Sequence, residues 1–336
     1  MNNNYISAVY NRKTNKVLVW ERDRATGLRR IKEYVGEHYY YVEDPHGDRT
    51  TLWGHTCRRV DCKNHWDMKE RLEADQRLGR LTFEADFKPL DRCLMNHYYG
   101  IPVPIVHKGL VDIEVDYEIN RSYSRTDNPY APINALTLYR SWEQTYYTLA
   151  VPPPNWDAEA QPLNMAELGF ETPEKTLFGA KDAHLILCKD EAELLENFLD
   201  LLDDVDVISG WNSEFFDVIY LAKRLEIVLG NRAAQRLNFE GSPFSYEYRE
   251  VEKFEQKETI CALSGRVHLD YLQLFRKFSF KARTSYALAK VAEDETSLEK
   301  LEYSGSLEEL YKTNFNWFLR YNIRDVEIIV ALDEKF

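Results

Sequence analysis

The chain has 336 residues, more than one compact core usually holds, and a hydrophobic fraction of 44% supplies material for two. A formal net charge of −13 argues against a broad phosphate-neutralising surface, so any nucleic-acid contact is expected to be local. No basic start leads into an apolar run, and nowhere do about 18 apolar residues follow one another, so neither signal peptide nor membrane span is expected and the cytoplasm is the expected compartment.

Five cysteines, an odd number, fit reduced thiols better than a disulfide framework. Residues 5–10 and 16–20 are β-branched and aromatic runs around a turn-prone stretch, the pattern of a hairpin. A second pairing is expected between residues 39–42 and 50–53, across the turn signal Asp44-Pro45-His46-Gly47-Asp48. Residues 66–78 read as helix and 81–86 as extended, which makes residues 1–104 a small α+β domain. Within it His55, Cys57, Cys62 and His65 span a length that could hold zinc. Their spacing departs from the common finger and ribbon patterns, and the cysteines equally suit small buried positions.

The prolines of Ile101-Pro102-Val103-Pro104 favour an extended linker, and a second domain is expected over 105–336. It opens on Leu110-Val111-Asp112-Ile113-Glu114-Val115. As a strand this puts Val111, Ile113 and Val115 on one face and the carboxylates Asp112 and Glu114 side by side on the other. Two such acids suit a divalent cation, or merely the solvated face of a half-buried strand. Residues 133–139 and 145–150 would complete an antiparallel meander with it. Residues 151–176, with Pro152, Pro153, Pro154, Pro162 and Pro173, read as a surface excursion. A strand at 185–188, a helix at 190–203 and a strand at 205–209 follow. Asp203, Asp204 and Asp206 between the last two are expected to be a solvated helix end rather than a metal site.

The strand ending at Ser209 hands over, through Gly210-Trp211-Asn212-Ser213-Glu214-Phe215-Phe216-Asp217, to a helix over 218–230. Such a handover sets side chains at the sheet edge where α/β folds build sites. Asp217 near the helix start is either part of a site or an acid favoured by the helix dipole. Near the C-terminus Tyr321 and Asp325 share one helix face.

Together, D-I-E at 112–114, G-W-N-x-x-x-F-D at 210–217 and Y-N-I-x-D-V at 321–326 resemble the three exonuclease motifs of family B DNA polymerases, most closely those of T-even-like bacteriophages. The intervening Leu269-Asp270-Tyr271, Lys277-Phe278-Ser279-Phe280 and Ser285-Tyr286-x-Leu288 match as well. The resemblance implies a ribonuclease-H-like mixed-sheet α/β domain that hydrolyses DNA from 3′ to 5′ in proofreading. Asp112, Glu114, Asp217 and Asp325 would hold two Mg2+ ions, with Mn2+ able to substitute, and Tyr321 would orient the attacking water. Two ions roughly 3.5–4 Å apart can stabilise both the attacking and the leaving oxygens of an in-line displacement. The resemblance also implies DNA contacts at Asn212, Phe216, Ser285 and Tyr286, and places Lys300 where the phage family has a lysine that can approach the scissile phosphate. Phe216 equally suits core packing, and Lys300 an ordinary surface position. Residues 246–262 resemble the family's β-hairpin thought to part primer from template, here without the turn glycine of relatives. Asp116 extends the acidic face and is expected to face water.

Nothing resembles the Tyr-x-Asp-Thr-Asp-Ser palm motif, so the chain is expected not to polymerise DNA alone. It would be a shortened piece, or one subunit of a split polymerase, with palm, fingers and thumb as its partner. Single-stranded 3′ ends and primer-template are the expected nucleic-acid partners, and a sliding clamp would be reached through the polymerase core. Two competing readings stay open: a non-catalytic module that docks a polymerase core or binds RNA, and a ribonuclease using the same acids. If phage-encoded, the chain would act in the host cytoplasm.

Overall fold

Alternating apolar residues near the N-terminus fold as a ribbon. In this computed structural model, which describes residues 3–115, 124–170, 177–253, 256–279, 281 and 283–336, β1 (Asn3–Asn11) and β2 (Lys16–Asp23) pair antiparallel with Tyr10 opposite Val17. β3 (Arg29–Val35) joins the other edge of β2 and is almost wholly exposed. Its Arg-Arg-Ile-Lys-Glu pattern hides it from a periodicity reading, and charge on an edge strand discourages further pairing.

β4 (His38–Glu43), β5 (Arg49–Thr50), β6 (Thr56–Cys62) and β7 (Thr82–Phe83) form a second sheet in the order β5-β6-β4-β7. The expected pairing of residues 39–42 with 50–53 does not form. β4 pairs instead with β6, Tyr40 opposite Val60, because that register buries Tyr40, Val42 and Val60 against Met68 of α1 (His65–Arg77). Leu52 and Trp53 are left exposed in a turn. The zinc reading of His55, Cys57, Cys62 and His65 fails on the same strand. Cys57 and Cys62 are five positions apart on β6, hence on opposite faces and about 16 Å apart. α2 (Pro89–Tyr98) packs Cys93 and Tyr98 on Val17 and Val19. These elements form one compact unit, Met1–Ile105, and a second spans Val106–Phe336.

In the second unit β8 (Lys108–Val115), β9 (Ile133–Arg140) and β10 (Thr145–Ala150) form the expected antiparallel meander. The short α3 (Met165–Leu168) precedes β11 (Asp182–Leu187), which runs parallel to β10. After α4 (Glu191–Leu202), β12 (Val207–Ser209) runs parallel to β8. Then come α5 (Asp217–Val228), α6 (Asn231–Ala234) and a separate hairpin, β13 (Glu247–Lys253) with β14 (Gln256–Ala262). β15 (Val267–His268) completes a mixed six-stranded sheet, β11-β10-β9-β8-β12-β15. Four helices close the unit: α7 (Tyr271–Phe278), α8 (Leu288–Glu295), α9 (Leu307–Thr313) and α10 (Phe315–Lys335).

The sheet is covered on both faces. Val111 and Ile113 of β8 join Leu195, Phe198 and Ile219 in one core, whereas Leu110 joins Phe318, Ile323 and Val326 of α10 in the other. β8 therefore lies between two cores, and the face that carries its acids looks toward α10. Asp206 departs from the solvated end expected of it: it is buried and accepts the His107 backbone N–H at 3.0 Å. Asp116, Pro173, Phe280 and the hairpin turn at 254–255 lie outside the described residues.

Candidate active site

Alternation on β8 sets Asp112 and Glu114 on the α10 side, and α10 brings Asp325 to meet them. One carboxylate oxygen from each of the three lies within 4.8 Å of the others, and this is the single group of three or more metal-ligating side chains among the described residues. Asp217 is the first residue of α5. Its Oδ1 accepts the backbone N–H of Ile113, the residue between Asp112 and Glu114, at 3.3 Å. The structure thus gathers the four acids separated by more than two hundred positions of sequence.

Such a cluster is electrostatically unfavourable. Burial raises Asp112 well above the usual carboxylate range, and Glu114, Asp325 and Asp217 raise it further. Glu114 is pushed up to about 8 by burial and then by Asp325. Asp217 rises to about 7 through burial, against the pull of its backbone hydrogen bonds. Asp325 is raised by burial, and Lys300 opposes the rise. Like charges in a low-dielectric site hold on to protons unless cations neutralise them.

One cation is built in. Lys300 Nζ donates to Asp325 Oδ2 at 2.6 Å and lies 4.8 Å from the centre of the Tyr321 ring. Burial draws the ammonium pKa down, but Asp325 more than offsets this and holds it above its ordinary value. Lys300 is therefore no ordinary surface lysine. The second oxygen of Asp325, Oδ1, is buried with no hydrogen-bond partner. A donor set made only of carboxylate oxygens, one of them unpartnered, suits hard divalent cations such as Mg2+ or Mn2+. Asp112, Glu114 and Asp325 could hold such an ion between them, with Asp217 on the neighbouring turn.

Two residues that motif reading left without a role support the first acid. Asn322, fully buried on α10, donates from Nδ2 to Asp112 Oδ2 at 2.7 Å, and its Oδ1 accepts from the Thr137 hydroxyl at 2.6 Å. Thr137 in turn bonds Thr148 at 3.0 Å, so a polar thread runs from β10 through β9 to the acid. The available signal was an asparagine inside the apolar stripe of a helix, since a buried amide needs partners.

Tyr321 is half-buried one turn before Asp325, edge-on to Tyr303 at 5.2 Å. Its hydroxyl is raised by burial and by the Asp325 charge. Asn212 lies in the turn before α5 with a left-handed backbone, φ 61°. Phe216 stacks on Tyr220 at 5.2 Å and packs against the α4–α5 core, which favours the packing role. Ser285 and Tyr286 sit just before α8, with Arg276 over the Tyr286 ring at 4.7 Å. Among these residues only Lys300 and Tyr321 are tied to a site acid.

Comparison with known proteins agrees with this geometry. Residues 164–291 match the DNA polymerase family B exonuclease domain. A DNA-directed DNA polymerase of Enterobacteria phage T4 is 31% identical over 211 residues, covering 60% of this chain and 23% of the relative. One of Escherichia phage RB69 is 26% identical over 324 residues, covering 93% of this chain and 35% of the relative. The chain thus spans about a third or less of the relatives it matches. No described helix is long and apolar enough to cross a membrane. With its mixed sheet and acid cluster, the chain is similar to the exonuclease portion of family B DNA polymerases of the T-even-like bacteriophage type.

Proposed function

We propose that this chain is a 3′-to-5′ exodeoxyribonuclease that removes nucleotides from a single-stranded 3′ end, as the proofreading part of a DNA polymerase. The observation that carries the reading is the convergence of Asp112, Glu114 and Asp325 within 4.8 Å, with Asp217 bonded to the strand between the first two. Four clustered acids, three of them buried, have no structural use for their mutual repulsion, and replacing them with neutral residues would relieve it.

Two divalent cations held by these acids supply the charge that stabilises attacking and leaving oxygens of a phosphodiester. The chain's own groups do the rest. Asn322 and the Thr137 hydroxyl fix the Asp112 carboxylate, and the Ile113 N–H fixes Asp217. The Tyr321 hydroxyl orients the attacking water, remaining protonated because burial holds its pKa high. Lys300, anchored on Asp325, offers a positive charge to the scissile phosphate. The partner of this portion is a polymerase core carrying palm, fingers and thumb.

The test is release of mononucleotides from end-labelled single-stranded DNA with Mg2+, beside a matched RNA oligomer. Wild type should release deoxynucleotides processively inward from the 3′ end and an Asp112→Ala, Glu114→Ala double variant should not. Equal, slow release by both proteins would show the assignment to be wrong, and faster release from RNA would make the chain a ribonuclease.

A further inference from the structure

Asp217 is the one site acid whose position depends on a turn. Phe216 offers α5 no side-chain cap, so besides the Ile113 N–H that Asp217 accepts, the turn leading into the helix sets where Asp217 stands. The turn before it is tightly drawn. Val218 N–H donates to the Ser213 carbonyl at 3.0 Å, and Asn212 holds a left-handed conformation that favours glycine. The turn also lies against β8, because a Cβ on Gly210 would stand 2.5 Å from the Val111 carbonyl.

What holds this turn is the segment 268–271, running alongside it. Tyr271 N–H donates to the Gly210 carbonyl at 2.9 Å, and Ser209 Oγ to the Leu269 carbonyl at 2.5 Å. His268 Nε2 pairs with Ser213 Oγ at 2.9 Å, the imidazole kept neutral by burial. At the centre is Asp270, only 5% exposed. Its Oδ2 accepts the Glu214 N–H at 3.1 Å and its Oδ1 the Gln273 N–H at 3.3 Å. An ordinary capping aspartate serves its own helix, as Asp190 does for α4 through the Glu193 N–H at 2.9 Å. Asp270 caps α7 and at the same time fastens the turn that delivers Asp217.

We propose that Asp270 is a positioning residue for the exonuclease site, setting the metal-binding carboxylate of Asp217 through the 210–216 turn. The inference rests on the nuclease reading above. It explains why a carboxylate is buried here, close enough to Asp217 to raise its pKa: a single acceptor of the size of serine would cap α7 but could not also reach Glu214. Groups that orient a metal ligand from behind typically change metal affinity or activity by about 10-fold to 100-fold when removed.

The experiment compares wild type with Asp270→Asn, Asp270→Ala and Asp190→Ala, each as the full chain. Mn2+ binding is followed by electron paramagnetic resonance, thermal unfolding without metal is recorded, and kcat and KM are measured on single-stranded DNA. Asp270→Asn should weaken Mn2+ binding about 10-fold and lower kcat with KM for DNA little changed, and Asp270→Ala should do so more strongly. Asp190→Ala should lower the melting temperature and leave Mn2+ binding and kcat at wild-type values. The proposal is overturned if the Asp270 variants lose only thermal stability, as the α4 cap variant does. Asp270→Asn alone decides the matter if Asp270→Ala does not fold. Should wild type and the Asp112→Ala, Glu114→Ala variant bind Mn2+ identically, the nuclease reading is what fails, a result distinct from loss of the Asp270 effect.

Discussion

The Asn322 side-chain amide donates to the Asp112 carboxylate at 2.7 Å while its own oxygen is held by Thr137. One buried amide thereby joins the first and third motifs. Asn322→Ala would leave the acid without its donor and the Thr137 hydroxyl with one partner fewer. Folding stability should fall by about 2 kcal/mol, the range for leaving a buried polar group without its partner, as measured by urea denaturation. Mg2+-dependent DNA hydrolysis should fall by about 10-fold or more.

Glu114→Gln removes one of the mutually repelling acids. Without metal the variant should melt at a higher temperature than wild type, whose Glu114 and Asp112 are crowded together. Adding Mg2+ should raise the melting temperature of wild type and leave that of the variant nearly unchanged. Calorimetry with and without the ion reads both effects.

Lys300→Met frees the Asp325 oxygen to which the ammonium now donates. The metal-free protein should become less stable, because a buried carboxylate loses its counter-charge. Mn2+ binding should tighten severalfold, while kcat falls because the lysine's positive charge no longer faces the phosphate. A titration showing weaker Mn2+ binding would contradict the competition between lysine and metal.

Glu295 is held down to about 2 by hydrogen bonds from Lys335, which ties α8 to the end of α10, and from Arg283 in the segment before α8. A carboxylate whose folded pKa lies below its unfolded value of about 4.3 contributes stability above that value. That contribution is lost as pH falls toward 2. The stability difference between wild type and Glu295→Gln should therefore shrink across this interval and be constant from pH 5 to 7, as read by denaturation at each pH.

Glu226, in the last turn of α5, accepts hydroxyl hydrogen bonds from both Tyr246 and Tyr248 at the base of the β13–β14 hairpin. A two-stranded hairpin is marginal unless something anchors it. Glu226→Ala should speed amide exchange across residues 247–262 and leave hydrolysis of single-stranded DNA unchanged, since the site acids are not touched.

The alternation of residues 110–115 was enough to set Asp112 beside Glu114, and helical spacing enough to put Tyr321 one turn from Asp325. Five of the six strands of the central sheet were legible for the same reason, being apolar runs bounded by turns, whereas the two-residue β15 is too short to show a pattern. β3 was not legible, because its polar sequence is that of an exposed edge, and neither was the partner of β4, because long-range register is decided by which pairing buries Tyr40 and Val60. Asn322 and Asp270 escaped for a different reason. An asparagine in a helix and an aspartate before one have common local uses, and only tertiary contact shows that each serves the site. Lys300 likewise became distinct from a surface lysine only when the fold set it on Asp325.

The strand and helix that carry three of the four acids are fastened to each other twice. Asp112 is bound by Asn322, and Lys108 at the start of the strand is paired with Asp333 near the end of the helix. The anchors stand about 13 Å apart along β8 and about 16 Å apart along α10, similar spans running in opposite directions. Two attachments at separate points hold β8 and α10 in one register, so the gap across which Asp112 and Glu114 meet Asp325 follows from how strand and helix are fastened.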